Sequence, residues 1–148
     1  MTPADIARLV PQTGLMCLLD RVAGYDDQHI ICTASSHRSP HHPLALADGR
    51  LLSVISLEYA AQAAAAHGSL LAAESASVAD SHVRSGFLAS ARDFKLHVRR
   101  IDDLTEDLVV RAERVMDTGS SVLYAFGIES DGRPVSEGRL AVFFTRAN

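Results

Sequence analysis

The longest apolar stretch of the chain, from Leu51 to Ala73, constrains the fold more than any other part of the sequence. Apolar residues lie on all sides of a helix built from this stretch, so we predict a helix that other elements wrap on most of its surface. The stretch carries Glu58 and Gln62. An ionised glutamate costs about 2.5–3.5 kcal/mol at the centre of a bilayer, and alanine offsets little of this cost. A buried helix is therefore predicted here, and no membrane partner is expected.

Short β-rich segments flank the predicted helix on both sides. Their apolar and polar residues alternate in places, and glycine-containing turns separate the later ones, which is typical of strands joined by hairpins. A helix segregated from such strands favours an α+β fold with an antiparallel sheet, as a single domain spanning residues 1–148. We predict strands at 15–24, 29–36, 85–99, 107–116, 121–129 and 135–145, a short helix opening at 2–5, and loops at 37–50 and 74–84.

The composition excludes several classes of protein. Hydrophobic residues make up 47% and charged residues 22% of the 148 residues, which is the balance of a globular domain and not of a disordered chain or a coiled coil. The net charge of −4 makes nucleic acid an unfavourable partner for the surface as a whole. Cys17 and Cys32 lie in apolar runs and are expected to be reduced. Because residues 1–10 lack the pattern of a secretory signal, we expect a cytoplasmic protein.

Glu58 is the candidate with the clearest chemistry. It is the one acidic residue of the apolar stretch, and burial penalises an ionised carboxylate. An enclosed carboxyl is therefore expected to keep its proton near neutral pH, which is the state that a general acid needs. The alternatives are that Glu58 reaches solvent through a gap in the sheet or accepts hydrogen bonds from neighbouring backbone groups.

Two further polar residues share this helix. Gln62 lies one turn after Glu58 and on the same face. Its amide could orient the carboxyl, bind a substrate carbonyl, or simply bond a backbone group where the helix packs. His67 lies further along the helix, beside Gly68, and we predict a partly buried structural histidine.

A loop with three histidines precedes the helix. His37, His41 and His42 lie within the loop predicted at 37–50, and the side chain of histidine is suited to a general base at neutral pH. We predict this role for His42 or His41, because the N-terminus of the helix also offers backbone donors for a developing oxyanion. A solvated loop or an adventitious metal site are the alternatives; no designed metal site is predicted, since the spacing of the histidines is irregular.

The segment from residue 84 to residue 100 is basic in an otherwise acidic chain. Its charged residues are Arg84, Arg92, Asp93, Lys95, Arg99 and Arg100. Such a segment is either a solvated strand face or a docking surface for an acidic carrier protein.

Three segments of the chain, in order, resemble the hotdog-fold 3-hydroxyacyl-(acyl carrier protein) dehydratases. Leu57–Gln62 resembles their central-helix motif, in which the glutamate is catalytic. The details around Glu58 and Tyr59 are most similar to the dehydratase-like proteins of aryl-polyene biosynthesis. The chain differs from the usual pattern at Gln12, where the family has His, and at His42-Pro43, where it has His-Phe-Pro. The remaining matching segments are 9–12 with 16–22, and 86–88 with 92–96.

The resemblance implies a long central helix wrapped by a curved antiparallel sheet. It also implies a homodimer whose subunits join edge to edge and share the active site; a higher oligomer or a heterodimer with a paralogue is also compatible with it. The substrate would be an acyl thioester on the phosphopantetheine of an acyl carrier protein or of coenzyme A. No metal or organic cofactor is expected, because the thioester itself acidifies the neighbouring proton.

The reaction implied by the resemblance is loss of water from a 3-hydroxyacyl thioester to give the 2-enoyl thioester. Glu58 would donate a proton to the departing hydroxyl, and His42 or His41 would take the proton next to the carbonyl. Backbone N–H groups around Leu52 and Ser53 would polarise that carbonyl. An acyl thioesterase on the same fold and a catalytically inactive partner subunit are the alternative functions.

Overall fold

One long helix and six strands follow one another in the described part of the chain. The computed structural model describes residues 6, 8–10, 14–75 and 84–146, and the side chains of 75, 84–89 and 144–146 are left out of the description. The elements are strands β1 (Arg21–Tyr25) and β2 (His29–Ala34), helix α1 (Ser56–Ser75), and strands β3 (Arg84–Leu96), β4 (Leu108–Asp117), β5 (Ser121–Ser130) and β6 (Arg133–Arg146).

The strands form one sheet in the order β1-β2-β4-β5-β6-β3. Every pair of neighbouring strands is antiparallel, as the alternating pattern predicts. The chain passes from β2 through α1 to the far side of the sheet, where β3 pairs with β6. The two edges of the sheet are therefore β1 and β3, and α1 contacts strands β2 to β6.

The core lies between α1 and one face of the sheet. Along β5 buried and half-buried residues alternate without interruption, because successive side chains of a strand point to opposite faces. The helix packs against these strands largely through alanine side chains. Ala60, Ala63, Ala64 and Ala66 are fully buried. Short side chains let the helix axis approach the sheet closely. Among the helices of the described residues, none combines the length and the apolar character that crossing a membrane requires.

The helix begins later than the apolar pattern predicts. The Leu51 N–H donates to Oδ1 of Asp102 at 2.8 Å, and the Ser53 N–H donates to the Arg99 carbonyl at 3.0 Å. These bonds hold 51–53 in an extended conformation. The local preferences of Leu51 and Leu52 do not indicate this conformation. A 3-10 turn over Ser53–Ile55 follows, and α1 starts after it.

Other predicted boundaries shift by a few residues. Strand β1 starts at Arg21, because Gly14–Met16 form a 3-10 turn where a strand was predicted. Strand β3 ends at Leu96 and not at Arg99. The predicted helix opening at 2–5 lies outside the described residues, as does most of the predicted loop at 74–84.

A β-bulge interrupts β3 close to its end. The register shifts between Arg92 and Lys95, and Asp93 takes a φ of 52°, a left-handed conformation that aspartate tolerates better than most residues. The bulge brings Phe94 against Phe126, with ring centroids 5.9 Å apart. Gly138 lies beneath it, where an added Cβ would come within 3.1 Å of the Arg92 carbonyl oxygen and of Cα of Phe94.

Replacing this glycine is expected to destabilise the fold. Gly138→Ala would press a methyl group against two backbone atoms that cannot rotate away, so we expect the free energy of unfolding to fall by about 1–3 kcal/mol. Urea denaturation followed by circular dichroism measures it. Gly127→Ala is the matched control, since nothing lies within 4 Å of its added Cβ. Equal stability of the two variants would contradict the close approach at Gly138.

Candidate functional site

Glu58 and Gln62 meet at the start of α1. Glu58 lies in the first turn of the helix and is half-buried. Gln62, one turn further on, is fully buried, and its Nε2 donates to Oε1 of Glu58 at 3.1 Å. The contact predicted from their spacing is therefore present, and the amide orients the carboxyl.

The rest of the Gln62 amide binds the segment before β1. Its Oε1 accepts the Leu18 N–H at 2.9 Å, and its Nε2 also donates to the Met16 carbonyl at 2.7 Å. The amide thus orients Glu58 and bonds backbone groups at the same time, as two of the predicted alternatives held. Since protein groups use both its oxygen and its nitrogen, the predicted contact of Gln62 with substrate stays a prediction.

His42 is buried, and both of its ring nitrogens are engaged. The Leu44 N–H donates to Nδ1 at 3.1 Å, and Nε2 lies 3.0 Å from the hydroxyl of Tyr59. A nitrogen that accepts an N–H bond carries no proton, so the imidazole is neutral with its proton on Nε2. Burial lowers the pKa of His42 below its ordinary value and favours the same state. In this arrangement neither nitrogen is free to take a proton from a substrate carbon.

The other two histidines of the loop have partners of their own. His41 is exposed, and its backbone N–H donates to Oγ of Ser39 at 3.2 Å. His37 is buried, its Nε2 donates to the Leu104 carbonyl at 3.2 Å, and burial lowers its pKa. Within the described residues no group of three or more His, Cys, Asp and Glu side chains is placed to hold a metal ion.

The Ser53 N–H and the Leu52 carbonyl are already used in backbone hydrogen bonds. The Ser53 N–H, predicted to polarise a thioester carbonyl, donates to the Arg99 carbonyl at 3.0 Å. The Leu52 carbonyl accepts the Ile55 N–H at 3.0 Å. The predicted donor role of Ser53 therefore conflicts with the bond that holds residues 51–53 extended. The Leu52 side chain, by contrast, is 39% exposed.

Two exposed apolar side chains lie close along the chain to residues of this site. Val54 lies four residues before Glu58, in the 3-10 turn that precedes α1, and is 47% exposed. Leu15, next to the Met16 carbonyl that Gln62 binds, is 67% exposed. Where such side chains form one patch, they mark a surface that another molecule or subunit covers.

Two side chains of this site were not predicted from the sequence. Tyr59 is fully buried, and its hydroxyl lies 2.7 Å from Oγ of Ser36, which donates to the Leu18 carbonyl at 2.7 Å. Burial raises the pKa of Tyr59 to about 12. A tyrosine inside an apolar helix signals that its hydroxyl needs a partner. The sequence could not indicate which partner, since Ser36 lies in a distant loop.

His67 has the structural role that the sequence predicts, and it is fully buried. Its Nε2 donates to the Asp26 carbonyl at 2.7 Å, and its Nδ1 accepts from the Tyr124 hydroxyl at 2.8 Å. Burial lowers the pKa of His67. The residue fastens α1 to the turn between β1 and β2.

A helix along one face of an antiparallel sheet, with an oriented carboxyl in its first turn, defines a hotdog-fold protein with an acid site. The family model described as ApeP-like, ApeP dehydratase, matches residues 4–147, so the chain belongs to the ApeP-like family. Its activity class is dehydration, in polyene biosynthesis. The predicted family and the predicted hydro-lyase class are thereby confirmed.

Solved structures confirm the predicted fold. The chain is similar to one in the dehydratase heterocomplex ApeI:P from Xenorhabdus doucetiae, with 22% identity, a TM-score of 0.79, and 97% of this chain and 91% of that chain covered. It is also similar to a hypothetical thioesterase with coenzyme A from Streptococcus pneumoniae TIGR4, with 14% identity, a TM-score of 0.60, and coverage of 86% and 87%. A comparison with curated proteins found no match.

Stability is expected to fall in mild acid because of the buried histidines. The pKa of His37, His42 and His67 is lowered by folding, so below about pH 6.5 the unfolded chain binds more protons than the folded protein. The free energy of unfolding then decreases with falling pH, by up to about 1.4 kcal/mol per pH unit for each histidine that takes up its proton only on unfolding.

Urea denaturation at pH 7.5 and 5.5 measures this loss. His67→Gln keeps a donor for the Asp26 carbonyl and removes one titrating group, so its stability should depend less steeply on pH. An equal pH dependence in the variant and in the natural chain would contradict a neutral His67.

Proposed function

We propose that the chain dehydrates 3-hydroxyacyl thioesters carried on phosphopantetheine, with Glu58 as the general acid. The observation that carries the proposal is the bond from the fully buried Gln62 amide to the Glu58 carboxyl, at 3.1 Å. It holds an acid in one orientation. We further propose that an acyl chain lies against the exposed side chains of Leu15 and Val54, which we call the apolar rim. A second molecule that covers this rim would exclude water and strengthen every polar contact to the reacting atoms.

Loss of water requires one proton to leave the substrate and one to reach its hydroxyl. The thioester carbonyl acidifies the proton on the adjacent carbon, and a base removes that proton as the double bond forms. The bond from C3 to the hydroxyl breaks as Glu58 donates its proton, so the hydroxyl leaves as water. Glu58 regains a proton before the next turnover. The bonds of His42 to Tyr59 and Leu44 favour a base other than His42.

A second dehydratase subunit along β3 is proposed to complete the site. β3 is an edge strand, and between Ser90 and Leu96 every residue except the half-buried Phe94 is exposed. A long unpaired edge with both faces in water is a surface for pairing with another strand. The similar X. doucetiae chain belongs to a heterocomplex, which supports a paralogue as the partner; a second copy of this chain is the alternative.

An acidic carrier protein is the proposed carrier of the substrate. Arg92 lies directly opposite Arg139 in the pairing of β3 with β6, and both are exposed. Like charges opposite each other on a sheet destabilise it, and an anionic partner relieves the repulsion. Among the described residues neither arginine has an ion-pair partner, whereas Arg111 on β4 is paired with Glu129 at 3.2 Å.

Glu58→Gln is expected to lower the rate of dehydration by about 10²–10⁴-fold, because the amide cannot donate an acidic proton to the hydroxyl. The measurement follows enoyl absorbance from a 3-hydroxyacyl-acyl carrier protein, with the chain alone and with its co-purified partner subunit. Circular dichroism shows whether the variant is folded, and Glu74→Gln at the other end of α1 is the matched control.

Other results would assign other functions. Turnover that Glu58→Gln leaves unchanged would contradict its role as the acid. Release of free thiol without enoyl product would indicate a thioesterase. A partner complex that stays fully active with Glu58→Gln in this chain would identify it as an inactive subunit.

Charge reversal at the arginine pair is expected to weaken carrier binding. Arg92→Glu with Arg139→Glu should raise KM for an acyl-carrier-protein substrate at low salt, with kcat retained, because long-range attraction acts on association. KM for a short synthetic thioester should not change. Arg111→Glu on the same sheet is the control, and an equal effect of that control would contradict a dock at Arg92 and Arg139.

A further inference from the structure

A continuous chain of hydrogen bonds runs from the loop before the helix into the helix. The Leu44 N–H donates to Nδ1 of His42 at 3.1 Å, and Nε2 of His42 lies 3.0 Å from the Tyr59 hydroxyl. That hydroxyl lies 2.7 Å from Oγ of Ser36, which donates to the Leu18 carbonyl at 2.7 Å. His42, Tyr59 and Leu18 are buried.

The direction of every bond in the chain is determined. A backbone carbonyl only accepts hydrogen bonds, so the Ser36 hydroxyl donates its proton to the Leu18 carbonyl and must accept from Tyr59. The Tyr59 hydroxyl therefore donates its proton to Oγ of Ser36 and must accept from Nε2 of His42. At the other end the Leu44 N–H only donates, which leaves Nδ1 of His42 bare and puts the ring proton on Nε2. Both ends thus require the same neutral tautomer of His42.

The same network continues to Glu58. The Leu18 carbonyl accepts a hydrogen bond from the Ser36 hydroxyl, and the Leu18 N–H donates to Oε1 of Gln62 at 2.9 Å. Gln62 in turn donates to Glu58 at 3.1 Å. Leu18 is therefore fixed from both sides, and its position sets where the Gln62 amide can lie.

We propose that His42 is a positioning residue, a neutral Nε2–H donor that fixes Glu58 through Tyr59, Ser36, Leu18 and Gln62, and that it is not the base of the reaction. The proposal rests on the proposed function of Glu58. Adding a second ring proton would point an N–H of His42 at the N–H of Leu44 and break the first link. Burial, and the nearby His37, lower the pKa of His42. Burial and the charge of Asp20 raise the pKa of Tyr59 at the other end of this bond.

The first test is spectroscopic and does not depend on activity. Imidazole ¹⁵N chemical shifts of the ¹⁵N-histidine-labelled protein, with His42→Gln to assign the signal, report which nitrogen carries the proton. We expect the Nε2–H tautomer for His42 at pH 7, and a pKa below the ordinary value for histidine. A proton on Nδ1, or an imidazolium at pH 7, would overturn the proposal even if Glu58→Gln abolishes dehydration.

The second test separates a positioning residue from a base. Tyr59→Phe interrupts the series of hydrogen bonds but leaves the imidazole in place. It should therefore lower kcat as much as His42→Ala does, by up to about 100-fold, with little change in KM. His42→Gln keeps a donor for Tyr59 and should recover most of the loss. The double variant of Tyr59→Phe and His42→Ala should be no slower than either single one.

A base would give the opposite pattern. His42→Gln would then be as inactive as His42→Ala, and Tyr59→Phe would stay active; this result overturns the proposal. His29→Gln, at the start of β2, is the control for loss of a histidine as such. If Glu58→Gln leaves dehydration intact, the function proposed for Glu58 fails, and the chemical shifts still decide the state of His42.

Discussion

The site depends on one requirement, that the Gln62 amide be fully bonded inside a helix made largely of alanine. An amide without hydrogen bonds is costly to bury, and Gln62 is fully buried. The only way to bury it here is to bring backbone groups to it, and those groups belong to Met16 and Leu18. The bonds that make the packing possible also leave one N–H of the amide directed at Glu58. Packing of the segment before β1 and orientation of the acid are therefore a single interaction.

The sheet determines where on the helix this interaction falls. Extended pairing of 51–53 with 99–102 delays the start of α1 until Ser56. Glu58 consequently lies in the first turn, at the edge of the core, where its carboxyl is half-buried while Gln62 one turn deeper is enclosed. An acid placed a turn further in would be sealed from substrate, and one placed before the helix would lose the amide that orients it.

The parts of this structure that follow from local pattern could be predicted from the sequence. An all-round apolar stretch implies an enclosed helix, alternation implies strands, and the spacing of Glu58 and Gln62 implies their contact. The delayed start of α1 could not be predicted, because it depends on Asp102 and Arg99, far along the chain. The state of His42 could not be predicted either. A histidine before a helix is equally compatible with a base and with a buried donor, and Tyr59 and Ser36 decide between them only after folding.

A His42 that acts only as a buried hydrogen-bond donor leaves the base of the reaction to be provided by a partner subunit. The chain presents an oriented acid, an apolar rim at Leu15 and Val54, and an open strand edge. A homodimer would bring two such surfaces together, each with an acid and each with its loop histidine turned inward, and would set two copies of the Arg92 and Arg139 pair near the same edge. A different subunit with a free base and fewer positive charges along its edge strand is the better complement on both counts. The charge of β3 and the bonds of His42, although they lie in separate parts of the chain, therefore favour the same kind of partner.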